Sequence, residues 1–273
     1  MDRTSALIHM NNLKLEYFGI KSPIVTINDK VIDVFCSTIV KDQFSIQHGD
    51  VIIIASKVVA VEQNRIIDLN TITPSTKARA LAEQAKLKPE FVEIVLQESD
   101  VVIGAVPGAL LTLRQGDVQA NGGVDKSNAG LNKAILLPDK PDEFSFGFKT
   151  ALEERLHVSD IGIIVADSAT RPLRIGTVGL AIGSAGFPAI VDIRGQDDLF
   201  GYKMSITLRN FADNIASGAN ILMGESSESV PFVVVRGLKN ILNNYNWQEK
   251  SISDLRIDPK RCLYFGNMKY DVL

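Results

Sequence analysis

Four short runs of branched aliphatic residues limit how this chain can fold. They are Val51 to Val61, Ile161 to Val165, Thr177 to Ile182 and Val230 to Val235. A run of Val and Ile without polar alternation fits a strand buried on both faces. Between these runs the spacing turns helical. Asp29 to Val40 carries Val31, Ile32, Val34, Phe35 and Ile39 at helical intervals. Ser75 is placed to cap a helix reaching about Leu87, and Pro89 suits the first turn of the next. Asp142 to Leu156 and Leu208 to Met223 read as two more helices, the second rich in small residues. Leu110 to Arg114 and Val118 to Asn121 read as a hairpin across Gln115-Gly116-Asp117, and Ala134 to Leu137 as a short strand. Strands interleaved with helices, with hairpin signals among them, predict a mixed α/β (α+β) architecture.

Composition narrows the function. The chain has 273 residues, 45% hydrophobic and 22% charged, with a formal net charge of -3. No long run of Lys or Arg supplies the basic face that nucleic-acid binding needs. Cys36 and Cys262 are the only cysteines, far apart, which argues against a disulfide framework or a structural zinc site. A reducing cytoplasmic setting is expected. No apolar run has membrane-spanning length, and the N-terminal apolar stretch is too short for a signal peptide. His9, His48 and His157 do not cluster, so a His-based triad has little support.

Two polar blocks follow the strand-like runs. Asn121-Gly122-Gly123-Val124-Asp125-Lys126-Ser127-Asn128 is the first; Ala166-Asp167-Ser168-Ala169-Thr170-Arg171-Pro172-Leu173-Arg174 is the second. Each is expected to set an Asp on a loop just past a strand. Asp carboxylates hold hard divalent cations through oxygen, and Arg and Lys neutralise phosphates. Read alone, Asp125 is equally an ordinary turn residue and Asp167-Ser168 an ordinary cap. Ser56-Lys57 falls inside the first apolar run, where a Lys is costly unless it finds a partner. Gly224-Glu225 closes the last helix, with Glu225 either a further metal ligand or part of a solvated loop. No GxxxxGK[ST] or GxGxxG pattern is present.

These residues resemble the coenzyme F420-0:γ-glutamyl ligase family. The likeness is carried in collinear order by Gly19-Ile20-Lys21-Ser22, Asp50 to Lys57, Asn121 to Asn128, Asp167 to Gly183 and Ala212 to Gly237. It implies a two-domain α/β fold working as an intertwined homodimer. The catalytic region would run over 15–238, with a division near 140, an extension at 1–14 and a tail at 239–273. It further implies a GTP-dependent ligase (ATP is the alternative) that joins L-glutamate to F420-0 with Mg²⁺ or Mn²⁺. Asp125, Asp167 and Ser168 match the family's metal ligands, with Glu225 a further candidate. Gly19, Ile20, Lys21, Ser22, Ser56, Lys57, Asn128, Gly224 and Glu225 match nucleotide-contacting segments. Lys57, Arg171 and Arg174 are candidates for stabilising developing negative charge.

The chain departs from the family at three places. Ala60-Val61 stands where a Ser-Lys pair is usual, Ala169-Thr170-Arg171 where Asn-Gly-Arg or similar is usual, and the tail past Gly237 lacks an acidic character. A folate acceptor, or a nucleotide-binding homologue without turnover, are the alternatives that these departures leave open.

Overall fold

A computed structural model describes residues 13–266. The expected extension at 1–14 and His9 fall almost wholly outside the described residues. From the N-terminus the elements are β1 (Glu16–Ile20), α1 (Val31–Lys41), β2 (Val51–Ala55), α2 (Ser56–Glu62) and β3 (Ile66–Asp68). Next come α3 (Thr76–Ala85), α4 (Pro89–Glu98), β4 (Val101–Val106), β5 (Ala109–Arg114), β6 (Asp117–Ala120) and β7 (Lys133–Ile135). The second half holds α5 (Pro141–Leu156), β8 (Gly162–Thr170), β9 (Thr177–Ala185), β10 (Ile190–Asp192) and β11 (Leu208–Asn210). It ends with α6 (Phe211–Met223), β12 (Phe232–Arg236) and α7 (Leu238–Leu242). The architecture is mixed α/β, as the sequence predicts.

A five-stranded sheet in the order β1-β12-β2-β8-β9 forms the centre. Only β2 and β8 run parallel; the other neighbours are antiparallel. Alternation along the strands divides the core. Ile52, Ile54, Ile163 and Val165 face α1 and α5, while Ile53, Ile164, Ala166 and Val233 face α6 and α7. Both faces are covered, which is why these strands read as unbroken apolar runs. Residues between α2 and α5 build a separate core, in which α3 and α4 pack on the β4-β5-β6 sheet. A neck joins it to the large sheet. There β3 pairs with β7, and Gln63 and Asp139 exchange two hydrogen bonds.

Three expectations need correction. The run Val51 to Val61 is not one strand. It turns helical at Ser56, because Val59 and Ala60 pack inward only at helical spacing. β-branched residues biased the reading, and tertiary packing overrode the propensity. Asp167 and Ser168 are not on a loop. Pairing of β8 with β9 continues to Thr170, so both residues are strand positions. The helix expected from Leu208 begins at Phe211, because Leu208 to Asn210 pair with β10 and Asn210 caps the helix through the Asp213 N–H. The expected Ser75 cap is observed, with its hydroxyl accepting from the Ala78 N–H.

Strand β9 is squeezed between helices. A Cβ on Gly179 would lie 2.2 Å from the Ala216 carbonyl oxygen of α6, and one on Gly183 2.4 Å from the Pro141 backbone of α5. Backbone cannot give way as a side-chain tip can. Gly179→Ala is therefore expected to lower stability by about 2 kcal/mol, on the scale of overpacking. An unchanged urea midpoint would show that α6 can withdraw freely.

Candidate active site

The parallel pair ends at one place. Ala55 of β2 lies opposite Ala166 of β8, and the next residue of each chain segment carries a polar side chain. Ser56 Oγ donates to Asp167 Oδ1 at 2.8 Å. A cleft of about 410 Å³ opens above this contact, outside the carboxyl ends of parallel strands, where α/β sheets commonly place ligands.

Its walls come from four parts of the chain. Lys57 projects from the first turn of α2 and reaches Asp125 Oδ2 at 2.6 Å and Ser127 Oγ at 2.5 Å. Asp125 also accepts from the Ser127 N–H and hydroxyl at 2.8 and 2.6 Å. Asn128 lines the cleft and donates to the Ser226 carbonyl at 3.0 Å. That bond ties the loop after β6 to the serine-rich loop after α6. The serine loop is fixed to the segment after β1 and to β2 in turn: the Ser22 N–H donates to Ser229 O at 3.1 Å, and the Ala55 N–H to Pro231 O at 2.9 Å. Glu225 Oε1 accepts from Thr177 Oγ1 at 2.8 Å and Asn220 Nδ2 at 3.1 Å. The remaining wall is apolar, with Ile24, Val25, Val58, Val61 and Ile135. Val61 adds to this greasy side.

The two carboxylates titrate in opposite directions. Asp167 sits on the cleft floor, packed in protein on most sides and partly open to the cleft. Burial pushes its carboxyl up to about 6, and the like charge of Asp125 adds to the rise, against the bonds from Ser56 and Ser168. Burial also works to raise Asp125. There the bonds from Lys57 and Ser127 outweigh it and hold the carboxyl below its ordinary value. A cation beside Asp167 would relieve both the burial and the repulsion, and the carboxylate and hydroxyl oxygens suit a hard divalent ion. Among the described residues no three Asp, Glu, His or Cys side chains are already gathered into a metal cluster, and Lys57 engages Asp125.

The structure places Ser22, Ser56, Lys57, Asn128, Asp167, Ser168, Gly224 and Glu225 around the one cleft, with Asp125 joined to it through Lys57. The others lie outside its lining. Gly19 is inside β1 against Val230, Ile20 is buried in the core and Lys21 is exposed. Arg171 and Arg174 are exposed on the turn between β8 and β9. Thr177 and Asn220, which hold Glu225, lie in the resembling segments Asp167 to Gly183 and Ala212 to Gly237 but are not among the candidate site residues read from the sequence.

The sequence model of the family described as F420-0:Gamma-glutamyl ligase matches residues 19–237. The chain belongs to this family. A protein of Methanopyrus kandleri named coenzyme F420:L-glutamate ligase is 37% identical over 227 residues, 83% of this chain and 89% of that protein. Proteins of the same name from Methanocaldococcus jannaschii and Archaeoglobus fulgidus are 35% and 32% identical. The first covers 82% of this chain and 88% of the relative, the second 92% and 98%. Membership in a ligase family agrees with a cleft that combines carboxylates, an ammonium and a hydroxyl-rich loop. No helix among the described residues is long and apolar enough to cross a membrane.

Proposed function

We propose that this chain joins L-glutamate to a carboxylate of coenzyme F420-0, using GTP and a divalent cation, Mg²⁺ or Mn²⁺. The observation that carries the reading is the line of contacts Ser56–Asp167 and Lys57–Asp125 at the cleft floor. It joins two carboxylates and an ammonium beside a cleft large enough for a nucleotide moiety. The names of the relatives supply the acceptor and the amino acid.

In this reading the acceptor carboxylate attacks the γ-phosphorus, an acyl phosphate forms, and the nucleoside diphosphate leaves. The glutamate amine then attacks the acyl carbon, an amide forms, and inorganic phosphate departs with the amine proton passing to solvent or a cleft base. Asp125, Asp167, Ser168 and Glu225 would hold the cation, which when bound neutralises phosphate oxygens. Lys57, released from Asp125, would face the phosphoryl group as it moves. Ser22, Asn128 and the serine loop present hydroxyl, amide and backbone groups to the rest of the nucleotide. Catalysis of this kind rests on positioning and charge neutralisation.

The test is an end-point assay read by mass spectrometry, with L-glutamate, Mg²⁺ or Mn²⁺, GTP or ATP, and F420-0 or a reduced folate. A product heavier by one glutamyl residue on F420-0, with nucleoside diphosphate, supports the reading. The same gain on folate alone moves the acceptor. No product from protein that binds nucleotide favours the homologue without turnover.

Cation binding is expected to weaken below pH about 6, where Asp167 takes up a proton, because a metal must displace it. Mn²⁺ titrations at pH 5 and pH 7.5 with equal affinities would remove Asp167 from the ligand set.

A homodimer is part of the proposal. Leu173, Ile175, Leu199, Phe200 and Ile206 stand almost fully exposed on the β8–β9 turn and the loop after β10. Exposed apolar groups in such number fit a partner surface. A monomer by light scattering at micromolar concentration would end this part.

A further inference from the structure

We infer that Asp213, on the first turn of α6, is a positioning residue that fixes the carboxylate of Asp167 through a bulge in β9. The inference rests on the reading of Asp167 as a metal ligand, and the experiment below separates the two.

Between β8 and β9 the register slips by one residue. Val165 lies opposite Gly183, but Ala166 lies opposite Ala181, so Ile182 is extra. Such a bulge bends the strand, sharpens its twist and leaves a ladder group without its strand partner. Here Asp213 Oδ1 accepts from the Ala181 N–H at 3.0 Å. The strand beyond the bulge then pairs in the new register, with Asp167 opposite Leu180 and Ser168 opposite Gly179. Leu180 and Ile182 both pack on the α1–α5 side of the sheet, the side on which Asp167 meets Ser56. Losing the slip would turn Leu180 to the other side and present Ala181 beside Asp167.

Asp213 is itself held in place. Asn210 Nδ2 donates to its Oδ2 at 2.6 Å, while the Asp213 N–H donates to Asn210 Oδ1 at 3.0 Å. Burial raises its carboxyl, against the Ala181 bond and the nearby charge of Arg171. Arg171 thus acts electrostatically on Asp213 in this chain, from a turn outside the cleft lining. A half-buried carboxylate that spends an oxygen on an amide beside the bulge is more than a helix cap, since Asn210 already caps α6. Partners behind a ligand are commonly worth 10–100-fold in metal affinity.

The test compares the wild type with D213A, D213N and D167A, by Mn²⁺ calorimetry, thermal melting and crystallography. Asn keeps an oxygen acceptor for the Ala181 N–H and discards the charge. The expected result is Mn²⁺ binding weakened at least about tenfold in D213A and within about threefold of wild type in D213N, with both variants folded. Wild-type affinity in D213A overturns the inference while leaving the metal reading intact. D213N as weak as D213A overturns it too, because charge and not the bulge bond would then matter. If the wild type binds no Mn²⁺, the metal reading fails, and the structure of D213A decides alone. An Asp167 still 2.8 Å from Ser56 overturns the inference, and a displaced carboxylate with Ile182 out of its bulge sustains it. Should D213A not fold, D213E, which moves the carboxylate by one methylene, takes its place with the same outcomes.

Discussion

Asp167→Asn is expected to slow turnover severely and, at the same time, to make the cation-free protein more stable at pH 7.5. Loss of a preorganised charge partner raises a barrier by about 3–4 kcal/mol, a factor on the order of 10²–10³ in rate. The stability effect follows from the raised pKa. In the folded chain Asp167 titrates at about 6, against 3.8 for a free Asp. Above pH 6 the carboxylate is ionised in both folded and unfolded chains, and the folded state carries the full cost of holding the charge. Below 3.8 it is neutral in both, and that cost is gone. Stability of the cation-free wild type therefore falls as pH rises from about 4 to 6. The shift sets an upper limit of about 3 kcal/mol, which water in the cleft reduces to about 1–2. Asn can still accept the Ser56 hydroxyl and has no charge to bury. Melting curves should place D167N a few degrees above wild type at pH 7.5 and level with it at pH 4. A variant that melts lower at both pH values would show that the carboxylate is structural.

Asp50→Ala is expected to give the largest loss of stability of any single substitution considered. Asp50 is 1% exposed. It receives Arg236 Nε and Nη2 at 2.9 and 2.7 Å in a bidentate pair, and the Gln47 N–H at 2.8 Å. The guanidinium lies over both Phe18 and Phe44, with ring centroids 5.3 and 5.6 Å away, and the two ring centroids are 5.3 Å from each other. This knot ties the turn before β2 to the end of β12, at the end of the sheet opposite the cleft. Removing one partner leaves the other half-buried and unpaired, which costs about 3 kcal/mol, or about 10 °C in Tm for a chain of this size. Replacing both as D50N/R236M should recover part of it, since the neutral pair leaves no stranded charge and Asn keeps an oxygen for the Gln47 N–H. Calorimetry showing D50A within 2 °C of wild type would dissolve the knot as an energetic feature.

What could be read from the sequence follows the physics of burial. Val51 to Ile54, Ile163 to Val165 and Val233 to Val235 were legible because a strand covered on both faces has no polar alternation to confuse it. α3 was legible through its Ser75 cap, and α4 through Pro89. β1 was not, because Tyr17, Phe18 and Gly19 belong to a short edge strand with mixed exposure. β4 was not, because the slip between Val102 and Gly104 breaks its alternation. The site divides in the same way. Asp167, Ser56 and Lys57 stood out as polar groups attached to apolar runs, and all three meet at the cleft. Asp213 lay inside the resembling segment Ala212 to Gly237, but nothing there marked it as part of the site. Its role depends on a one-residue slip in a strand far from it in sequence, and a slip leaves no mark on composition or period.

The neck between the two cores bears on the order in which the chain assembles. Ser56 and Asp167 are 111 residues apart, so pairing β2 with β8 first would mean closing a very long loop. The neck shortcuts this distance. Arg65 Nε donates to the Leu137 carbonyl across 72 residues, and the separation left to close is then roughly 40 residues, which lowers the closure entropy by about 0.9 kcal/mol. A chain that condenses its inserted core first thus brings the two halves of the catalytic floor together faster. In pulsed hydrogen exchange, the amides of α3, α4 and β5 should be protected ahead of those of β2 and β8.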